Sequence, residues 1–402
     1  MPLALTGFFE TYDVALLTLA APVLAGGLGL TIGAFGIGVA LIRLASLASV
    51  PVLRLADRWG RRTLLIVSLA VFTLATGMTA LAIGVVAFVA FQMVARVFLA
   101  TESSLASVVI AEELRPHRRG AGISVLGVIS GVGFGLVAAL LLLVPHTPLG
   151  WRLFYVVALV PLVLVAYLRR NLRETRAFSV ARAEHRLQTS FWPRVTRPQR
   201  ATCALAIALV SAFGLVQTAC FFYASELAQT TYGWGGLFTA VVIVAGAFGI
   251  LGFVLGGRVS DRVGRRPMVA AAMLLTAAGT ILVFTRVEAL FIPGFFLATT
   301  GSACFLAVTL AYLAELFPTE VRATLASLVV SCQVAAGSIG LVVVGALGGV
   351  AQPATLLLAG AGALVLSVLL LRWLPEVAGR DLVGTAPDPS LRAIALRGLP
   401  AT

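Results

Sequence analysis

The chain of 402 residues is 60% hydrophobic and only 11% charged. Soluble domains average about 45–50% apolar and about 25% charged residues, so an ordinary soluble enzyme or two-domain cytosolic protein is excluded and the solvent of this fold is lipid. The formal charge of +13 would suggest a nucleic-acid partner in a soluble chain; in a multispanning chain, arginine excess in short loops is an orientation signal, and no nucleic acid is expected.

A transmembrane helix takes roughly 20 mostly apolar residues. Runs of that kind fall at 3–27, 31–53, 63–84, 86–111, 120–144, 151–169, 201–225, 235–257, 267–285, 289–313, 323–348 and 354–374. They predict an all-α membrane protein with twelve transmembrane helices, referred to below as spans 1 to 12. No basic segment precedes the first run, so it reads as a span and not as a cleaved leader. Arg169 to Arg200 is too charged for a bilayer and divides the chain near its middle. The expected organisation is an N-terminal six-helix bundle (1–170), a cytoplasmic linker (171–200), a C-terminal six-helix bundle (201–374) and a cytoplasmic tail (375–402).

Every basic residue of the 29 is arginine. Arg43 and Arg96 lie within spans, and Arg152 and Arg286 sit at odd-to-even connections. All the others occupy loops after even-numbered spans or the C-terminal end. The positive-inside bias therefore places those loops and both termini in the cytoplasm, with the protein in the cell membrane.

The two halves repeat. LADRWGRR after span 2 (Asp57, Arg58, Gly60, Arg61, Arg62) recurs after span 8 as VSDRVGRR (Asp261, Arg262, Gly264, Arg265, Arg266). EELRPHRR at the end of span 4 (Glu113, Arg119) recurs at the end of span 10 as ELFPTEVR (Glu315, Arg322), and RNLRE ending at Glu174 recurs as RWLPE ending at Glu376. Three charged signatures in the same order indicate two homologous bundles, the parallel-repeat plan of many secondary transporters. Carboxylates and guanidiniums at neighbouring helix ends form charge-assisted bonds, and this set is expected to form a cytoplasmic gate.

The doubled DRxGRR loop resembles the signature of the major facilitator superfamily, over residues 6 to 382. GWR at Gly150 to Arg152, LRET at Leu172 to Thr175 and LPEVAGRDL at Leu374 to Leu382 are similar to the branch of sugar porters and metabolite:proton symporters. FFETYD at Phe8 to Asp13 is similar to the first-helix acidic signature of metabolite and aromatic-acid symporters. Span 7 reads VQTACFFYASE, without the doubled Gln and the Asn of sugar porters. Span 5 lacks the Gly-Pro step of drug:proton antiporters. The first loop also has Leu53 where the family pattern has Gly, and Ala100 replaces the Gly expected after Arg96.

Charged residues inside a bilayer are costly, so they face a cavity and find partners. Glu10 and Asp13 share a face of span 1, Arg43 is in span 2, and Arg96 and Glu102 are in span 4, with Glu102 directed away from Arg96. The resemblance implies that Asp13 exchanges its proton against an ion pair with Arg96. A permanent salt bridge joining spans 1 and 4 is the alternative. Gln217, Tyr223 and Gln333 are the expected polar cavity residues of the second half. Gly127, Gly131 and Gly135 in span 5, with Gly337, Gly340 and Gly345 in span 11, are expected to permit close helix approach.

No catalytic or metal constellation stands out. Cys203, Cys220, Cys304 and Cys332 lie in apolar runs and read as small buried hydrophobes, so no enzyme activity, metal or cofactor is expected. The combined expectation is a monomeric secondary transporter moving a small organic metabolite, such as an organic or aromatic acid, by alternating access and proton symport. Proton-coupled efflux of a hydrophobic compound and a non-transporting sensor are the alternatives.

Overall fold

A computed structural model of the protein describes residues 5–53, 61–113, 119–169, 197–317, 319–347 and 353–377. All regular structure among them is helical: α1 (Leu5–Leu19), α2 (Ala21–Gly27), α3 (Ile32–Ala45), α4 (Ser49–Leu53), α5 (Arg61–Ala80), α6 (Val85–Glu113), α7 (Arg119–Leu143), α8 (Arg152–Arg169), α9 (Arg197–Glu226), α10 (Gly235–Val263), α11 (Arg265–Phe284), α12 (Glu288–Leu316), α13 (Thr319–Leu347) and α14 (Pro353–Ser367). Lipid offers no partner for a backbone amide, so a chain this apolar must close its hydrogen bonds within each segment. Hydroxyls obey the same constraint by bonding back along their own helix: Thr76 to Phe72 O, Thr101 to Val97 O and Thr276 to Ala272 O.

Among the described residues, nine helices are long and apolar enough to cross a membrane, and up to ten if the bent pair at the N-terminus is one span. That pair, α1 and α2, is broken by 66°. Pro22 near the start of α2 has no N–H, and its ring excludes the carbonyl four residues back. That carbonyl belongs to Thr18. Ser225 Oγ donates to Thr18 O at 2.6 Å, and Gln229 Nε2 donates to Leu19 O at 2.8 Å. The groups released by the break thus find donors at the end of α9, where the helix runs into a π-turn at Leu227–Thr231. Helices α7 and α8 occupy the places of the expected fifth and sixth spans.

The chain divides into two compact units. The first is Met1–Thr189 with Phe221–Gly246 and Leu341–Pro353; the second is Ser190–Cys220, Ala247–Gly340 and Ala354–Thr402. In the first unit an aromatic cluster sits at the start of α8, where Phe88, Trp151 and Tyr155 meet edge to face at centroid distances of 5.6 to 6.1 Å. In the second, Phe213 and Phe305 stack at 3.6 Å within the core.

Glycines set the closest helix contacts. A Cβ on Gly337 would meet Thr218 Oγ1 at 2.5 Å, and one on Gly340 would collide with the Leu215 carbonyl, so α13 lies directly on α9 there. Gly345 touches the Gly33 backbone in the first unit. In α7 the expectation is corrected: Gly133 presses against the Phe8 carbonyl of α1, whereas Gly135 has open space around it and Gly131 is exposed. Two residues of helix turn the side-chain direction by roughly 200°, so only one register of the glycine series can face α1. Gly127 belongs to α7, and its surroundings lie outside what is described.

The glycine contacts yield a stability prediction. Gly340→Ala should destabilise the purified protein by about 1–3 kcal/mol through overpacking. Gly362→Ala, where a Cβ meets nothing within 4 Å, should leave the thermal midpoint unchanged or higher. Equal midpoints for the two variants would contradict the close α9–α13 approach.

Candidate functional site

The first constellation lies wholly in the first unit. Asp13 of α1 and Arg96 of α6 form an ion pair, Nη1 to Oδ2, at 2.9 Å, with side chains only 9% and 10% exposed. Arg43 of α3 and Glu10 of α1 stand close enough to act electrostatically on Asp13. Ser103 Oγ, on α6, donates to Glu10. Glu102 is fully buried on α6. The five charges singled out in the spans of the first half are therefore placed on three neighbouring helices, and the expected Asp13–Arg96 pair is formed.

Neutral groups that sequence reasoning passed over complete this region. Gln92 lies one turn before Arg96 on the same face of α6 and donates from Nε2 to Thr79 Oγ1 at 3.1 Å. Tyr12 donates to the Phe154 carbonyl. Asp13, Tyr12, Thr76, Gln92 and Tyr155 line a cavity of about 10 Å³. The signal for Gln92 was the four-residue spacing to Arg96, a neighbouring pair on any helix.

Tyr223 is also in the first unit, buried, with Oη 3.2 Å from where a Cβ of Gly345 would stand. Gln217 and Gln333 are in the second unit and half-buried. The backbone of Gln333 lies against Gly214. The cysteines are free, with Cys203, Cys220 and Cys304 buried and Cys332 half-buried.

The second constellation surrounds the start of α11. Arg265 forms a two-pronged bond with Glu315 of α12, Nη2 to Oε1 at 2.7 Å and Nε to Oε2 at 2.9 Å. Its Nη1 reaches Ser260 Oγ at 2.6 Å and Asp261 Oδ1 at 2.7 Å. Glu376 covers the helix end, accepting from the backbone N–H groups of Arg265 and Arg266 at 2.9 and 3.0 Å, which are amides a helix leaves without internal partners. Gly264 precedes them at φ +113°, where L side chains are strained, and a Cβ there would sit 2.9 Å from Glu376 Oε2. Tyr312 donates to Pro375 O at 2.7 Å and fixes the approach of Glu376.

Burial ranks the partners of Arg265. Its side chain is 9% exposed, Glu315 is 27% exposed and Asp261 is 63% exposed. Exposed ion pairs contribute about 0–1 kcal/mol, so Glu315 is the main partner and Asp261 a minor one. Arg262 is exposed. In the first-half repeat, Asp57, Arg58 and Gly60 lie outside the described residues, as do the side chains of Arg61, Arg62, Glu113 and Arg119, and that of Arg322 in the second half.

Comparison with known proteins identifies the family. The family profile described as Major Facilitator Superfamily matches residues 3–262 and 246–397. The chain is 26% identical over 327 residues to a probable 4-methylmuconolactone transporter of Cupriavidus pinatubonensis, covering 78% of this chain and 75% of that one. It is 28% identical over 309 residues to a putative metabolite transport protein of Haemophilus influenzae, covering 72% and 74%. The fold resembles the crystal structure of a D-xylose–proton symporter with a TM-score of 0.76 at 18% identity, over 94% of this chain and 98% of that one. With its succession of long apolar helices it is a multi-pass membrane protein, and the chain belongs to the Major Facilitator Superfamily.

Proposed function

We propose that this protein carries a small organic metabolite, of the organic or aromatic acid class, across the cytoplasmic membrane by proton symport. The observation that carries the reading is the buried Asp13–Arg96 pair. Protonating Asp13 removes one of the two charges and releases Arg96 to bind an anion. A charge at the bilayer centre costs roughly 2.5–3.5 kcal/mol on insertion scales, so the released guanidinium favours a state in which substrate replaces the carboxylate. The name of the Cupriavidus relative, a probable 4-methylmuconolactone transporter, supports a small organic metabolite as the substrate. The proton symport named for the xylose-transporter neighbour supports the coupling. Two six-helix halves, 1–170 and 201–374, rock about a site near mid-membrane, with both termini cytoplasmic and the Arg265 network acting as a gate on that side.

One proton entering along 100 mV supplies about 2.3 kcal/mol, and one pH unit adds about 1.36 kcal/mol. A neutral substrate could thus be concentrated about 500-fold. A monoanion cancels the electrical part and keeps the pH part.

Thermal-shift screening of 4-methylmuconolactone, benzoate and D-xylose should find a stabilising ligand, since binding at 100 times Kd adds about 2.7 kcal/mol. In proteoliposomes, Asp13→Asn should abolish accumulation of that ligand against a gradient while counterflow persists, because a permanently neutral residue still lets the loaded protein rock. Arg96→Ala should damage both. Accumulation that survives Asp13→Asn would reduce the pair to a structural tie, and binding without counterflow in the unaltered protein would identify a sensor.

The gate makes a separate prediction. Glu315→Gln leaves the buried Arg265 without its forked partner and should increase thiol labelling of a cysteine engineered at the cytoplasmic end of the cavity several-fold. Asp261→Asn should change it little. Equal labelling in both variants and the unaltered protein would leave the loop as an orientation signal only.

A further inference from the structure

We propose that the small cavity of the first unit is the binding site of one ordered water molecule, and that through this water Tyr155 and Gln92 position the carboxyl group of Asp13. The mechanistic consequence rests on the proton-coupling reading above; the site itself rests on separate observations.

The first observation is an accounting of hydrogens. Thr79 spends its hydroxyl hydrogen on Ala75 O at 2.8 Å, so its oxygen can only accept, and the group it accepts from must be the Gln92 amide nitrogen. That fixes the orientation of the amide and leaves Gln92 Oε1 as a pure acceptor. Oε1 is buried with no hydrogen-bond partner in the protein. Tyr155 Oη is buried with no partner either. Tyr12 and Thr76 cannot supply the missing hydrogen, because Tyr12 donates to Phe154 O and Thr76 to Phe72 O. Buried polar atoms are almost always bonded, to protein or to ordered water.

The second observation is the space. Tyr155, Gln92, Asp13 and Thr76 line one cavity of about 10 Å³, at the lower edge of what holds one water. A water there accepts from Tyr155 Oη and donates to Gln92 Oε1 and to the carboxylate of Asp13, whose Oδ2 already takes the Arg96 bond. Three bonds are typical for a buried water. The other charges acting on Asp13 are Arg96, Arg43 and Glu10, none of which lines this cavity.

The same water serves both forms of the acid. When Asp13 is protonated, its O–H can donate to the water, which then accepts from Asp13 and Tyr155 and donates to Gln92 Oε1 and Thr76 Oγ1. Tyr155 Oη and Gln92 Oε1 are thus both bonded in either state of the acid. Tyr155 and Gln92 are therefore positioning residues, acting on Asp13 through the water.

The test is a density map of the full-length protein at a resolution that shows ordered water, for the unaltered chain and for Tyr155→Phe, which keeps the ring packing against Phe88 and Trp151. The expected result is a peak within about 2.5–3.0 Å of Asp13, Tyr155 Oη and Gln92 Oε1, lost or weakened in the variant. Infrared spectroscopy gives a second readout, using the carboxylic C=O band that disappears in Asp13→Asn. Its wavenumber should rise in both Tyr155→Phe and Gln92→Leu as a hydrogen bond is lost. A dry cavity in the unaltered protein, a direct Tyr155–Gln92 bond, or an Asp13 band unmoved in both variants would overturn the inference. A water peak together with accumulation that survives Asp13→Asn would uphold the site and sink only the coupling reading.

Discussion

Lipid cannot hydrogen-bond, and most of what is seen in this protein follows from that one constraint. It makes each spanning segment a helix and turns threonine hydroxyls back onto their own helices. It also explains why the break at Pro22 is not left open: the carbonyls of Thr18 and Leu19 are met by Ser225 and Gln229. The buried Asp13 and Arg96 obey the same rule with full charges, and each is the means by which the other is tolerated.

The two charged constellations differ in the medium around them. Asp13 and Arg96 are nine-tenths buried, where breaking a pair by removing one partner costs about 3–5 kcal/mol. Such a pair is a two-state element: neutralising one member changes what the other will bind. The Arg265 network is graded, from the sheltered fork with Glu315 to the exposed Asp261, and it is tied to the backbone through Glu376. Loosening it in steps suits a gate, whereas switching a pair suits a coupling site.

The charges were legible in the sequence because a carboxylate or guanidinium in an apolar run has few acceptable explanations. Asp13, Arg96, Glu10 and Arg43 were therefore found together, and the doubled DRxGRR loop announced the superfamily and the repeat. Neutral polar groups carried no comparable signal. Gln92, Ser225 and Gln229 matter because of partners on other helices and Tyr155 because of the cavity it lines, and a span reads the same whether its glutamine faces a cavity or a neighbour. Gly133 was missed in favour of Gly135 because the glycine series does not say which register faces α1. Asp261 and Glu315 looked equivalent as repeated acids, and only burial separated them. Glu376 was visible as a repeat of Glu174, but its role in covering the start of α11 depends on how residues 374–377 fold back.

The central claim is that Asp13 is the group that takes up the proton that moves with substrate. The most direct measurement is external pH, recorded with an indicator, when the stabilising ligand is added to proteoliposomes with no imposed gradient. The account predicts an alkalinisation that follows ligand entry for the unaltered protein and none for Asp13→Asn. An alkalinisation of equal size in Asp13→Asn would contradict it.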